Sequence, residues 1–183
     1  MAIWDWLREM PIIDDVVDAV DIFSEFLPDV HAGTVPGGDY GELREGMFWT
    51  VGEDGLDTRD RMLTDLSLEP VTYDEDGSVS SGFWRDPHTA FESADPSDFD
   101  VDHRVPFTEI ADQFPQIYEL PREEQLAIYN DPDNLQVIHD VHNLEKGADT
   151  PAEHAREFAD ADSQREFLRK CADYVGRLQE RFG

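Results

Sequence analysis

An α+β fold is what this sequence predicts, on three observations. Short runs rich in β-formers, Val71 to Tyr73, Val79 to Trp84, the stretch ending in Asp102-His103 and Leu135 to Ile138, are bounded by turn residues. Longer segments with apolar residues at helical spacing outnumber them. Four Trp, eleven Phe and five Tyr within 39% apolar residues give the chain material for a core despite a formal net charge of −29.

In chain order, residues 2 to 9 and 12 to 27 read as helices. Ile12, Val16, Val17, Val20, Ile22, Phe23 and Phe26 are spaced to bury one face, and Pro28 closes the segment. Asp14, Asp15, Asp18 and Asp21 interrupt it, so it cannot span a bilayer. It has neither a basic start nor a cleavage-like site, which sets aside a signal peptide and leaves cytoplasmic residence as the expectation, or export by a dedicated machine. Gly33 to Gly41 reads as a connection. Residues 1–45 are thus an N-terminal helical segment suited to docking or delivery, ahead of a domain over 46–183.

Asp57 is placed to cap a helix reaching Leu66. An Asp-Glu-Asp-Gly turn joins the first two strand runs into a hairpin. Phe107 to Phe114 and Arg122 to Tyr129 read as helices, and the Asp102-His103 strand is expected to pair with Leu135 to Ile138. A helix then starts near His139 and ends at Gly147, a natural C-cap. Pro151 to Phe158 and Ser163 to Phe182 complete the chain, the latter with Phe167, Leu168, Cys171, Tyr174, Val175 and Leu178 on one stripe. The single cysteine, Cys171, excludes an intrachain disulfide and reads as a buried thiol.

The chemistry concentrates between Val101 and Gly147. Val-Asp102-His103-Arg-Val-Pro106 is followed by Asn-Asp-Pro-Asp-Asn134, an apolar run, and Asn143-Leu-Glu-Lys146-Gly147. A histidine beside an acid supplies a base with an unperturbed pKa of ~6.5, and alternation along a strand turns the two side chains to opposite faces. Acid and amide oxygens suit a hard cation, and phosphodiester cleavage needs both a cation and a base.

This order of residues resembles the ββα-metal core of the HNH endonucleases, in an HNN variant because its third position is Asn143. The resemblance implies that Asp102 and Asn143 hold one divalent cation, with Mg²⁺ or Mn²⁺ ahead of Zn²⁺ or Ni²⁺. It also implies that His103 is the general base and that Asn134 braces the loop and orients the histidine ring. Gly55-Leu-Asp57-Thr58-Arg59, Trp84-Arg-Asp86-Pro87-His88-Thr89 and the Val-Asp-His-x-Val-Pro segment occur in the order found in the often secreted branch related to the GmrSD restriction enzyme's C-terminal domain. The likeness covers about residues 46 to 180, with the ββα-metal core at 99–147 and a small antiparallel hairpin and helices around it. Leu56, His88 and Ala90 depart from that branch's usual cysteine, tyrosine and glycine.

His139 and His142 stand where many HNH proteins carry half of a zinc knuckle. No upstream Cys-x-x-Cys or histidine pair supplies the other half, so they read as helix-surface or metal-neighbouring residues. His31 and His154 read as solvated.

With 43 acids against 14 bases, of which two are lysine, the chain looks adapted to multimolar salt. Repulsion from phosphates would hinder nucleic-acid binding at ordinary ionic strength, but at ~1 M salt the Debye length is only ~3 Å. Among the scarce bases, Arg59, Arg85, Arg104 and Lys146 are the candidates for substrate phosphate contacts.

The expectation is therefore a metal-dependent HNH endonuclease acting on DNA, in the setting of a halophile's toxin, defence or viral effector. Its N-terminal helices would meet a protein partner. The rival is a non-catalytic acidic interaction or assembly protein that retains the scaffold.

Overall fold

A computed structural model describes residues 40–147, 149–158 and 160–183. The helices expected at 2–9 and 12–27, the membrane and docking questions attached to them, and His31 lie outside these residues. The described chain mixes helices with three two-stranded antiparallel sheets, as the α+β expectation requires. Among the described residues, no helix is long and apolar enough to cross a membrane.

Helix α1 (Tyr40–Glu45) occupies the end of the segment read as a connection. Its Leu43 is buried in the same apolar cluster as Phe107, Ile110 and Ile128, so the boundary drawn at residue 45 cuts through a continuous core. Helix α2 (Thr58–Leu66) starts where the acid predicts: Asp57 Oδ1 accepts from Asp60 N at 2.8 Å. Strands β1 (Thr72–Tyr73) and β2 (Val79–Ser81) form the expected hairpin, with Gly77 at φ +92° in its turn. The run expected to end at Trp84 is broken at Gly82. A Cβ there would sit 2.6 Å from the Trp84 ring, so only glycine lets the indole bury fully and donate from Nε1 to Leu63 O at 2.7 Å.

Strands β3 (Trp84–Arg85) and β4 (Glu92–Ser93) form a second short hairpin. Strand β5 (Phe99–His103) pairs antiparallel with β6 (Leu135–His139) in the register His103↔Leu135, Asp102↔Gln136, Val101↔Val137. Between them lie α3 (Phe107–Gln113) and α4 (Arg122–Tyr129). Helix α5 (Asp140–Lys146) follows β6, ends at Gly147 with φ +53°, and packs back across both strands.

Helix α6 (Pro151–Ala155) is shorter than its expected run to Phe158. Thr150 and Glu153 close a capping box at its start, while Phe158 turns back against the core. Helix α7 (Ala161–Phe182) buries the predicted stripe, Cys171 included, and burial pushes that thiol up.

Two apolar clusters flank the β5–β6 pair. Alternation aims Phe99, Val101, Leu135 and Val137 into one with Met62, Leu63, Val79 and Trp84. The opposite parity, Asp100, Asp102, Gln136 and Ile138, faces α5 and the C-terminal helices. This second face carries the polar chemistry.

Candidate functional site

The first cluster lies on α5 and the polar edge of β5. Asp102 Oδ2 accepts from Lys146 Nζ at 2.5 Å, across 44 residues of sequence, and the same ammonium lies 3.4 Å from His103 O. Lys146 is 3% exposed. It is thus not a lysine waiting at the surface for a phosphate; its charge is spent on Asp102. Asn143, one turn earlier, donates from Nδ2 to Asp100 Oδ2 at 3.0 Å, which leaves its carbonyl oxygen uncommitted by that bond.

His103 points to the other strand face, as alternation requires. Its ring lies among Trp49, Phe107 and Tyr129 and is 8% exposed. Nε2 lies 2.8 Å from Tyr129 O. A carbonyl only accepts, so Nε2 carries the proton and the neutral ring's lone pair is on Nδ1. Burial depresses the ring's pKa, overcoming the opposing pull of the Tyr129 carbonyl and Asp102, and the imidazole stays neutral near pH 7.

Asn134 is fully buried and grips one peptide unit's neighbourhood. Its Oδ1 accepts from Val105 N and its Nδ2 donates to Val105 O, each at 2.9 Å, while its own carbonyl accepts from Arg104 N at 2.7 Å. It therefore braces the loop after β5. The ring of His103 is oriented instead by the Tyr129 carbonyl.

The arginines separate. Arg59 donates to Pro96 O at 3.1 Å and Phe99 O at 3.3 Å, tying α2 to the start of β5. Arg85 and Arg104 line one cleft of about 250 Å³ with Lys170, the other lysine of the chain, which sequence reasoning missed. Arg104 also donates to Asp133 O at 3.1 Å.

A second cluster sits on the same sheet face, and no sequence reading assembled it. Asp86 is fully buried at the head of the Asp-Pro-His-Thr turn. Its Oδ1 accepts from His88 N at 2.7 Å and Thr89 N at 3.3 Å; its Oδ2 takes His139 N at 3.0 Å and lies 3.2 Å from His142 Nδ1. Burial pushes its carboxyl up, but the two amides and the neighbouring histidines prevail and hold it below the usual range. The turn closes through Ala90 at φ +60°, a left-handed conformation that favours glycine.

Three imidazoles then converge. His88 Nε2 lies 3.3 Å from His154 Nε2 and 3.3 Å from Gln136 Oε1. His142 Nε2 is 3.2 Å, and His154 Nδ1 3.6 Å, from Glu157 Oε2. His88, His142 and His154 are 1%, 4% and 0% exposed. This corrects the expectation that His154 is solvated, and it removes the helix-surface alternative for His142. Burial pushes His88 down to about 4 and His154 to about 2. His139 stays at the edge, stacked on Phe91.

Asp86, His88 and His142, and again His142, His154 and Glu157, each present ligand atoms within 4.8 Å of one another. Such groupings can hold a metal ion. The residues that join His142 in these groupings come from the turn after β3 and from α6 and the turn after it, not from a paired motif. His154-x-x-Glu157, two ligand types at helical spacing, was the signal in the sequence that pointed to them.

What these features define is an α+β protein in which a strand pair and the helix after it carry Asp100, Asp102, Asn143 and Lys146 on one face, beside a buried cluster of three histidines, Asp86 and Glu157. No family model, curated protein or solved structure matches the chain.

Proposed function

We propose that the protein is an HNH-type endonuclease that hydrolyses DNA phosphodiesters in concentrated salt. One observation carries the reading: a β–β–helix arrangement in which α5 sets Lys146 on Asp102 and Asn143 on Asp100 of β5, while Asn134 grips the loop that follows His103. The cleft lined by Arg85, Arg104 and Lys170 supports it, being a basic concavity in a chain with few bases.

In this reading the Nδ1 lone pair of neutral His103 takes a proton from water, whose oxygen bonds to phosphorus. One ester P–O bond breaks, and the leaving oxygen is protonated from solvent. Asp102 and the Asn143 carbonyl are hard oxygen donors that fit a divalent cation such as Mg²⁺, with Asp100 adding charge beside them. The cation, when bound, would offset charge on the phosphate and leaving oxygen. Lys146 holds Asp102 in place from the interior. Plasmid cleavage in multimolar KCl with Mg²⁺ or Mn²⁺, abolished by EDTA and by His103→Ala, is the expected result. Intact plasmid at enzyme excess, or full activity of His103→Ala, refutes it.

The second reading also rests on a specific observation. The Lys146 ammonium, 2.5 Å from Asp102 Oδ2, occupies the side of the carboxylate that a cation would use. A permanent internal cation makes the centre structural and the protein an acidic interaction module. A stoichiometric protein partner recovered with an inactive wild-type chain is its signature.

A further inference from the structure

We infer that His142, His154 and Glu157 form a site for a zinc-class divalent cation, separate from the Asp102–Asn143 centre. The inference stands whether or not the protein cuts DNA, because it rests on the second cluster alone.

Tetrahedral zinc with bonds of about 2.0–2.1 Å to nitrogen and oxygen sets its ligand atoms about 3.3 Å apart. Glu157 Oε2 lies 3.2 Å from His142 Nε2 and 3.6 Å from His154 Nδ1, close to two edges of such a tetrahedron, and all three groups present ligand atoms within 4.8 Å of one another. His142 Nδ1 faces Asp86 Oδ2 at 3.2 Å, which demands Nδ1–H, while Nε2 faces Glu157 Oε2 at 3.2 Å, so a cation between those two atoms replaces the proton they would otherwise share. His154 Nε2 faces His88 Nε2 at 3.3 Å, and its Nδ1 is buried without any hydrogen-bond partner. An orphaned imidazole nitrogen in a fully buried ring is costly, and a metal bond removes the cost. Asp86 thereby becomes a positioning residue, fixing the tautomer and angle of His142.

Ligand chemistry narrows the ion. Two imidazoles and one carboxylate suit zinc and its first-row neighbours rather than magnesium or calcium, which prefer all-oxygen sets. Glu157 is 44% exposed at its side chain, so the third ligand and the remaining coordination position face solvent, where an ion can arrive and a water can complete the shell. Occupancy would pin α5 to the turn after α6, and thereby hold the helix that carries Asn143 and Lys146.

Full-length protein, stripped with a chelator and dialysed into multimolar KCl, tests this with Zn²⁺ by calorimetry and with Co²⁺ by visible absorption. The expected result is one Zn²⁺ per chain, a raised thermal midpoint, and the intense visible bands of low-coordinate Co²⁺. Glu157→Gln, which alters a half-exposed side chain and leaves the core intact, should weaken Zn²⁺ binding by at least about tenfold, since even altering a residue behind a ligand costs that much. Asp102→Asn should bind Zn²⁺ as wild type does. No stoichiometric Zn²⁺ binding, unchanged affinity in Glu157→Gln, or loss of binding in Asp102→Asn, which would send the ion to the other centre, each overturns the inference.

Discussion

Replacing Asp102 with alanine should cost far more stability than replacing Lys146 with methionine, although the two side chains form one pair. The asymmetry follows from exposure. Lys146 is 3% exposed at its side chain and Asp102 23%. Without Asp102, the ammonium keeps only a 3.4 Å contact to His103 O and is stranded in the interior. Stranding a buried charge costs about 3–5 kcal/mol, and because Asp102 is partly hydrated the lower end, about 3 kcal/mol, applies here. Without Lys146 the carboxylate can recruit water, and methionine fills the vacated channel, so the change should be within about 1 kcal/mol. Once Lys146 is methionine, removing Asp102 should cost little, a coupling of about 2 kcal/mol in a double-mutant cycle. Urea denaturation at one fixed multimolar KCl concentration measures all four proteins. A smaller loss for Asp102→Ala than for Lys146→Met, or additive losses, would refute the reasoning and remove the pair from the account of this centre.

The remaining expectations concern the turn, the loop and the histidine cluster. Ala90→Gly should raise stability by about 0.5–1 kcal/mol, because the residue sits at φ +60°, and a thermal midpoint that falls would count against strain there. Asn134→Ala should destabilise by about 2–3 kcal/mol through the orphaned Val105 peptide groups, with faster amide exchange at Val105 as the local readout. In the metal-free protein, His88 titrates at about 4 when folded and at about 6.5 when unfolded, so below 6.5 the unfolded chain binds the extra proton. Stability is therefore complete above pH ~6.5 and declines as pH falls toward 4, by roughly 3 kcal/mol from His88 alone. Urea midpoints between pH 7.5 and pH 4.5 should show this slope, and His88→Gln should reduce it by that share, leaving the part contributed by the depressed His154 and His103.

Much of the scaffold is legible in the sequence because its signals are local. Asp57 caps α2, Gly77 and Gly147 take left-handed turns, and the α7 stripe buries as its spacing dictates, since each depends on residues within a turn or two of one another. The β5–β6 pairing was readable too, because a short apolar run after a turn has few other partners. The burial of Leu43 was not readable for the opposite reason: it packs in one cluster with Phe107 and Ile128, residues far along the chain.

The centre divides in the same way. Spacing and alternation set Asp102 and His103 on opposite faces and Asn143 with Lys146 on one side of a helix. Only tertiary packing decided that Lys146 turns inward onto Asp102 and that Tyr129, from another helix, orients His103. It also gathered Asp86, His88, His142, His154 and Glu157 from three separate segments into one buried cluster. Residue type and local period follow from neighbouring atoms. Which charges meet, which nitrogens are left without a partner and which side chains lose water depend on how distant segments fill the same space, and that is fixed only when the chain closes on itself.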